Sequence, residues 1–152
     1  MPSCWRVGAP AMKQIKRWLP AVLWAATIFG LSAIPGRALP PLPVWNADKL
    51  AHAAVYGVLG ALCWRGARAS FAPGTAPWRV VLIAVLLTSL YGIADEIHQM
   101  FVPNRSPDPN DVLADAVGGL LGALACVAIV SRRQRRDRER GDESGEKKKK
   151  KS

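Results

Sequence analysis

The sequence predicts an all-α fold: a four-helix transmembrane bundle with both termini cytoplasmic and a disordered basic C-terminal tail. Three observations carry that expectation. Four apolar stretches recur along the 152 residues, basic residues gather on the connections that would share one side, and the last segment has almost nothing to bury. Stretches 18–34, 80–93 and 112–130 are strongly apolar, and 50–64 is apolar apart from His52 and Tyr56. A bilayer core ~30 Å thick needs ~17–25 helical residues to cross it, a length all four reach with their flanks. A soluble helical bundle would instead carry a polar stripe along each helix, and none runs along these segments.

Charge placement orients the bundle. The formal charge is +10. With the N-terminus inside, the inner segments carry Arg6, Lys13, Lys16, Arg17, Arg65, Arg68, Arg79 and the tail. The outer segments carry Arg37, Lys49 and Arg105 against Asp48, Asp95, Glu96, Asp108, Asp111 and Asp115. The inner set is strongly positive and the outer set is net negative, the positive-inside pattern of a multi-pass protein. The expected location is the bacterial cytoplasmic (inner) membrane. Cys4, Cys63 and Cys126 fall toward the inner side without a CxxC spacing, which argues against a disulfide framework or a zinc ribbon.

The elements follow in order. Residues 1–17 read as a basic, poorly ordered cytoplasmic start. The first helix occupies the stretch from Trp18; a cleaved signal segment ending near Gly30 and Ser32 is the alternative. "IPGRALPPLPVWN" is a proline-broken loop, since proline cannot extend a helix interior. The second helix starts near Asn46 to Asp48, where a capping side chain is available, and ends before "RGARASFAPGTAP". The third runs from about Trp78 to Phe101, and "VPNRSPDPN" breaks it from a fourth that starts near Asn110 and ends at Ser131. Trp45 would sit at the outer headgroup level, and Trp18, Trp64 and Trp78 at the inner one. The domain proper is 18–131, and residues 132–152 form the charged tail, expected to be disordered. That tail reads as solvated near anionic lipid headgroups and not as a nucleic-acid-binding arm.

One polar layer interrupts the apolar pattern. Helical residues four apart nearly eclipse, so Asp48, His52 and Tyr56 share a face of the second helix, and Tyr91, Asp95 and Gln99 share one of the third. Asp111 and Asp115 begin such a face on the fourth, where Gly118 and Gly122 form a GxxxG pattern that lets helices approach closely. At ~1.5 Å rise per residue His52 lies ~6 Å inside its helix start, Asp95 ~9 Å before Phe101 and Asp115 ~6 Å past Asp111, one layer just below the outer surface. A charge at the membrane centre costs ~2.5–3.5 kcal/mol on insertion scales, so the layer is expected to face inward, with Asp95 and Glu96 paired to Lys49, His52 or Arg105. Each member has a simpler account: Asp111 as an N-cap, His52 as an interhelical hydrogen-bonding group, Asp95 and Glu96 as an ion-pair hub, Arg105 as a loop charge. Their convergence from three helices points to a binding site.

Three motifs in order resemble the VanZ-like family. "DKLAHAAVYGVLG" (48–60) is similar to its D-K-x-x-H-x-x-x-Y half. "DEIHQMFVPNRSPDPNDVLADAVGGLLG" (95–122) is similar to its D-E-x-x-Q-x-F, R-S/T-x-D-x-x-D and glycine-rich half. "GLSAIPG" resembles the family's serine-bearing end of the first helix. The likeness spans roughly residues 18–130. It departs at Ala114–Asp115, where relatives commonly carry an Asn. The family takes its name from a protein conferring low-level resistance to teicoplanin. The resemblance implies a small integral membrane protein, usually of four helices. It also implies a site drawn from Asp48, Lys49, His52, Tyr56 and Asp95, together with Glu96, Gln99, Arg105, Asp108, Asp111 and Asp115.

Three functions compete at this stage. In the first, the outer-face pocket binds an envelope lipid headgroup or cell-wall precursor, with Lys49 and Arg105 on phosphate. In the second, an envelope-lipid hydrolase or transferase uses His52 as base with Asp95 and Glu96; a metal version would take His52, Glu96 and Asp115 as ligands. In the third, the layer only staples helices in a structural assembly protein. The sequence favours the first: a binding protein with no cofactor and no metal, whose partners are membrane lipids or an envelope precursor, with homo-oligomers open.

Overall fold

The computed structural model describes residues 8–38 and 47–149. It is all-α, with helices α1 (Gly8–Ser32), α2 (Ala47–Ser70), α3 (Pro77–Gln99) and α4 (Pro109–Lys149), and a short 3-10 turn at Gly36–Ala38. α2 and α4 form the most extensive interface, α3 packs on both, and α1 lies mainly against α2 with a lighter contact to α3.

The α2–α4 interface is a seam of glycines. A side chain added at Gly60 would strike the Gly119 backbone, one at Gly118 would strike Ala53, and one at Gly122 would strike Gly57. Gly119 also meets the Thr88 side chain of α3, so it marks where three helices converge. Removing Cβ atoms lets two backbones touch, which is how small-residue patterns pack helices tightly. The GxxxG reading at Gly118 and Gly122 is therefore realised as a helix contact, with Gly57 and Gly60 as its partners. Below the seam the core holds Leu59, Cys63, Trp64, Ala67, Val80, Ala84 and Ala123, with Ala21 and Ile28 from α1.

α1 attaches through directional contacts. Trp24 Nε1 donates to the Val55 carbonyl at 2.9 Å, and Tyr91 Oη donates to the Ala25 carbonyl at 2.6 Å. Trp18 packs on Gly66, and its Nε1 donates to Ser70 Oγ at 3.2 Å. At the opposite end, the segment after α1 clasps the α3–α4 loop: Gly36 N–H donates to the Pro103 carbonyl at 3.2 Å. Asn104 there has φ 59°, a left-handed conformation that Asn tolerates better than most side chains. One end of the bundle thus carries the two clasped loops and the acidic residues. The other carries Lys13, Lys16, Arg17, Arg65, Arg68 and Arg79.

Several expectations need correction. α1 begins by Gly8, so the described part of the basic start is helical; Gln14 and Trp18 bond Ser70 and hold it against α2. α4 does not stop near Ser131 but continues through Lys149. Arg, Gln, Glu and Lys are good helix formers, and oppositely charged residues recur at i,i+4 (Arg133–Asp137, Arg135–Glu139), which sustains a helix that buries nothing. Trp64 is buried in the core. Trp45 and Asn46 lie outside the described residues. Among the described residues, two helices are both long and apolar enough to cross a membrane: α3, and the part of α4 up to Glu143. α1 and α2 have the length, but charged residues occupy the first half of α1 and both ends of α2. Exposed apolar side chains cover the outside: Leu82, Leu86, Leu90, Ile93 and Ile97 on α3, and Leu113, Val117, Leu121 and Leu124 on α4. So extensive an apolar exterior is compatible with a protein embedded in lipid.

Replacing Gly122 by Leu should destabilise the bundle by about 1–3 kcal/mol through overpacking. Gly30→Ala, where an added carbon meets nothing, should leave stability unchanged or slightly raised. Thermal unfolding in detergent, followed by circular dichroism, compares the two; equal melting would remove the seam from the account.

Candidate functional site

The seam brings the N-terminal half of α2 against the first turns of α4, and that juxtaposition assembles the polar layer. Lys49 Nζ lies 2.7 Å from Asp108 Oδ2, 2.8 Å from Asp111 Oδ1 and 3.3 Å from Asp48 Oδ2. One turn deeper, His52 Nδ1 lies 3.0 Å from Asp115 Oδ1, and His52 Nε2 lies 3.9 Å from Asp111 Oδ2. Asp115 is fully buried. Gly92 makes room for it, because any side chain there would collide with the Asp115 carboxylate. Tyr56, one further turn along, is stacked parallel to His52 at 6.1 Å between ring centroids and is itself buried.

α3 contributes two adjacent carboxylates that face different partners. Asp95 Oδ2 accepts from Ser32 Oγ at 2.7 Å and from Gln99 Nε2 at 3.0 Å, which ties α1 to α3. Glu96 Oε2 accepts the Asp108 backbone N–H at 2.9 Å, which ties α3 to the loop before α4. Asp108 in turn caps α4, accepting the Asn110 N–H at 2.9 Å. The Lys49 ammonium and the Asn110 amide hold the Asp108 carboxyl below the usual carboxylate range. Arg105 reaches back toward Ile34 O at 3.4 Å and Gln99 Oε1 at 3.5 Å, both neutral oxygens at long range.

These contacts revise the expected pairing. Asp95 and Glu96 are not paired to Lys49, His52 or Arg105; the fourth helix and its approach loop take both Lys49 and His52. The physical reason is reach. The glycine seam sets α2 directly on α4, while Asp95 points toward α1. His98, two residues after Glu96, leaves the layer altogether and stacks on Phe29 at 4.3 Å. The eleven predicted residues do gather at one end of the bundle, in two linked groups. Lys49, His52, Glu96, Asp108, Asp111 and Asp115 surround the α2–α4 contact, with Asp48 at its exposed rim. Tyr56, Asp95, Gln99 and Arg105 face α1.

Between α1, α2 and α3 lies a cavity of about 400 Å³. Its wall is apolar along Ile28, Leu31, Ile34, Ala51 and Val55, and polar at Ser32, Asp48, His52, Tyr56, Asp95, Gln99 and Arg105. Ser32 was not in the predicted set. Its signal was present, a serine ending an apolar helix at the level of the acidic layer, but sequence spacing does not relate α1 to Asp95. The apolar wall had no signal, because an aliphatic residue facing a cavity reads like one facing lipid.

The ordered motifs that meet at this layer find their counterpart in one comparison: the VanZ/LLP1 family matches over residues 9–130. The chain belongs to the VanZ/LLP1 family. No curated protein and no solved structure matches it. The family match ends where α4 leaves the bundle, so the charged extension after residue 130 lies outside it. Within the match fall all eleven residues of the polar layer, and Ser32 with them.

The Asp108 cap yields a pH test. Because its carboxyl titrates below the unfolded value of ~3.9, the contribution is fully present above that value and is lost as pH falls through the lower folded value. Lys49→Met should move that loss upward in pH and weaken protection of the Asn110 amide several-fold. Hydrogen exchange across pH 2.5–5 (roughly the span of ordinary carboxylates) reads both effects; an unchanged profile would contradict the Lys49–Asp108 assignment.

Proposed function

We propose that this VanZ/LLP1 protein is a multi-pass protein of the bacterial inner membrane, its four helices spanning with both termini inside. Its cavity at the outer face holds the headgroup of an envelope lipid or cell-wall precursor. The observation that carries this reading is the two-sided wall of the cavity. Its volume of about 400 Å³ falls within the range of small-molecule sites. An aliphatic side along Ile28, Leu31 and Val55 suits the start of an acyl or prenyl chain, and the polar side suits a headgroup. Arg105 is the group that addresses phosphate. Lys49, the other expected phosphate contact, is saturated by three carboxylates. Among the described residues the Arg105 guanidinium faces only the two neutral oxygens at 3.4 and 3.5 Å, which suits its fork to a bidentate anion contact. Asp95 and Gln99 would accept and donate to hydroxyl or amine groups of the headgroup.

Sidedness rests on charge. On this reading the basic ends of α1, α2 and α3 and the basic stretches of the α4 extension lie on the cytoplasmic side, where anionic headgroups would attract them. The clasped loops and the acidic layer then open outward. A second reading, an envelope-lipid hydrolase or transferase, is favoured by the His52–Asp115 pair. A buried carboxylate 3.0 Å from Nδ1 orients an imidazole that also lines the cavity, the arrangement of a general base.

Native mass spectrometry of the detergent-purified protein tests the binding reading. Phospholipid or precursor adducts should be present on the wild type and at least tenfold weaker on Arg105→Gln, with Lys49→Met changing them less. Adducts that survive Arg105→Gln at wild-type level would sink the assignment. Release of a labelled headgroup that disappears in His52→Ala would replace binding by catalysis.

A further inference from the structure

Every carboxylate around His52 has one oxygen engaged and one left over. Asp111 gives Oδ1 to Lys49 and turns Oδ2 toward His52 Nε2. Glu96 gives Oε2 to the Asp108 amide and leaves Oε1 buried without a partner. Glu96 is only 6% exposed, so water does not readily serve that oxygen. Behind the ring, Asp115 Oδ1 sits 3.0 Å from Nδ1. A carboxylate there accepts the Nδ1 proton and fixes the tautomer whose lone pair is on Nε2, the nitrogen turned toward Asp111 Oδ2. One ligand atom from each of His52, Glu96 and Asp111 lies within 4.8 Å of the others.

We propose that His52, Glu96 and Asp111 bind a divalent metal ion, zinc or manganese, with Asp115 as the positioning residue behind the imidazole. One imidazole and two carboxylates are a donor set that suits these ions. The carboxylate–histidine–metal order is the usual way a protein orients a histidine ligand. The ligand atoms, within 4.8 Å of one another, stand wider than a coordination sphere requires, so binding would draw the side chains inward by rotation. Charge points the same way. Asp48, Glu96, Asp108, Asp111 and Asp115 face one lysine, Lys49, and an imidazole, so the nest carries an excess of negative charge that a dication offsets. The burial of Glu96 and its orphan oxygen separate this group from an ordinary acidic surface. The sequence reading expected no metal and, in its metal version, put Asp115 among the ligands. The geometry exchanges Asp115 for Asp111. Three protein ligands leave positions for water or for an oxygen of a molecule in the adjoining cavity, which His52 also lines.

The test uses the full chain in detergent, stripped with chelator and titrated with zinc or manganese alone, so its outcome is independent of lipid binding. Calorimetry and elemental analysis should show one equivalent bound. Glu96→Gln and Asp111→Asn should each weaken binding at least tenfold. His98→Ala, which removes the histidine outside the nest, should leave it unchanged. Circular dichroism and a monodisperse profile confirm that each variant is folded. Should Glu96→Gln not fold, the wild type still decides. Metal should slow acylation of His52 by diethyl pyrocarbonate several-fold without slowing that of His98, and cobalt substitution should give a visible ligand-field band. No stoichiometric metal, or equal affinity in the folded Glu96→Gln and Asp111→Asn variants, overturns the site.

Discussion

The backbone contact between α2 and α4 is the constraint on which the rest of the molecule depends. Gly57 and Gly60 meet Gly118, Gly119 and Gly122 with no side chain between them. Helices this close cannot be offset by a turn without driving Cβ atoms into carbonyl groups, so the seam sets both spacing and register. Register is what puts Lys49 opposite Asp111 and His52 opposite Asp115. In lipid the hydrophobic effect does not press helices together, and close van der Waals contact takes over that role. The glycines therefore do more than hold the fold: they aim the polar side chains.

That aim matters because a low-dielectric interior penalises every unpaired polar group. The layer meets the demand by sharing. Lys49 serves three carboxylates, Asp108 serves both Lys49 and the start of α4, and Asp95 gathers a hydroxyl from α1 and an amide from α3. The sharing is incomplete. Oxygens of Asp95, Glu96 and Asp115 and the Tyr56 hydroxyl are buried without partners among the described residues. Those orphan oxygens lie in the layer to which the proposed ligands are assigned.

α1 plays a different part. Its interface with α2 and α3 rests on a few directional contacts, from Trp18, Trp24, Ser32 and the Tyr91 hydroxyl, and less on continuous packing. Attachment at separated points leaves room between them, and the cavity occupies that room. The clasp between Gly36 and Pro103 closes the polar end and brings Arg105 over it.

The number of helices, their order, the segregation of basic from acidic ends, the GxxxG contact and the membership of the polar layer were all legible from the sequence. Apolar run length, eclipsing at i,i+4 and loop charge are local properties that survive without coordinates. Partners were not legible. Spacing places Asp95 and Glu96 at the same height as Lys49 and His52, but height is shared by many side chains, and direction about the helix axis is decided by which helices touch. Only the packed structure turned Asp95 toward Ser32, gave Lys49 and His52 to α4, and hollowed the space beside α1. The helical state of the charged extension also escaped the sequence reading, since a segment that buries nothing carries no apolar periodicity and only its helix-forming residues and i,i+4 charges betray it. Local chemistry chose the residues of this site; the glycine-set distance between two backbones chose their companions.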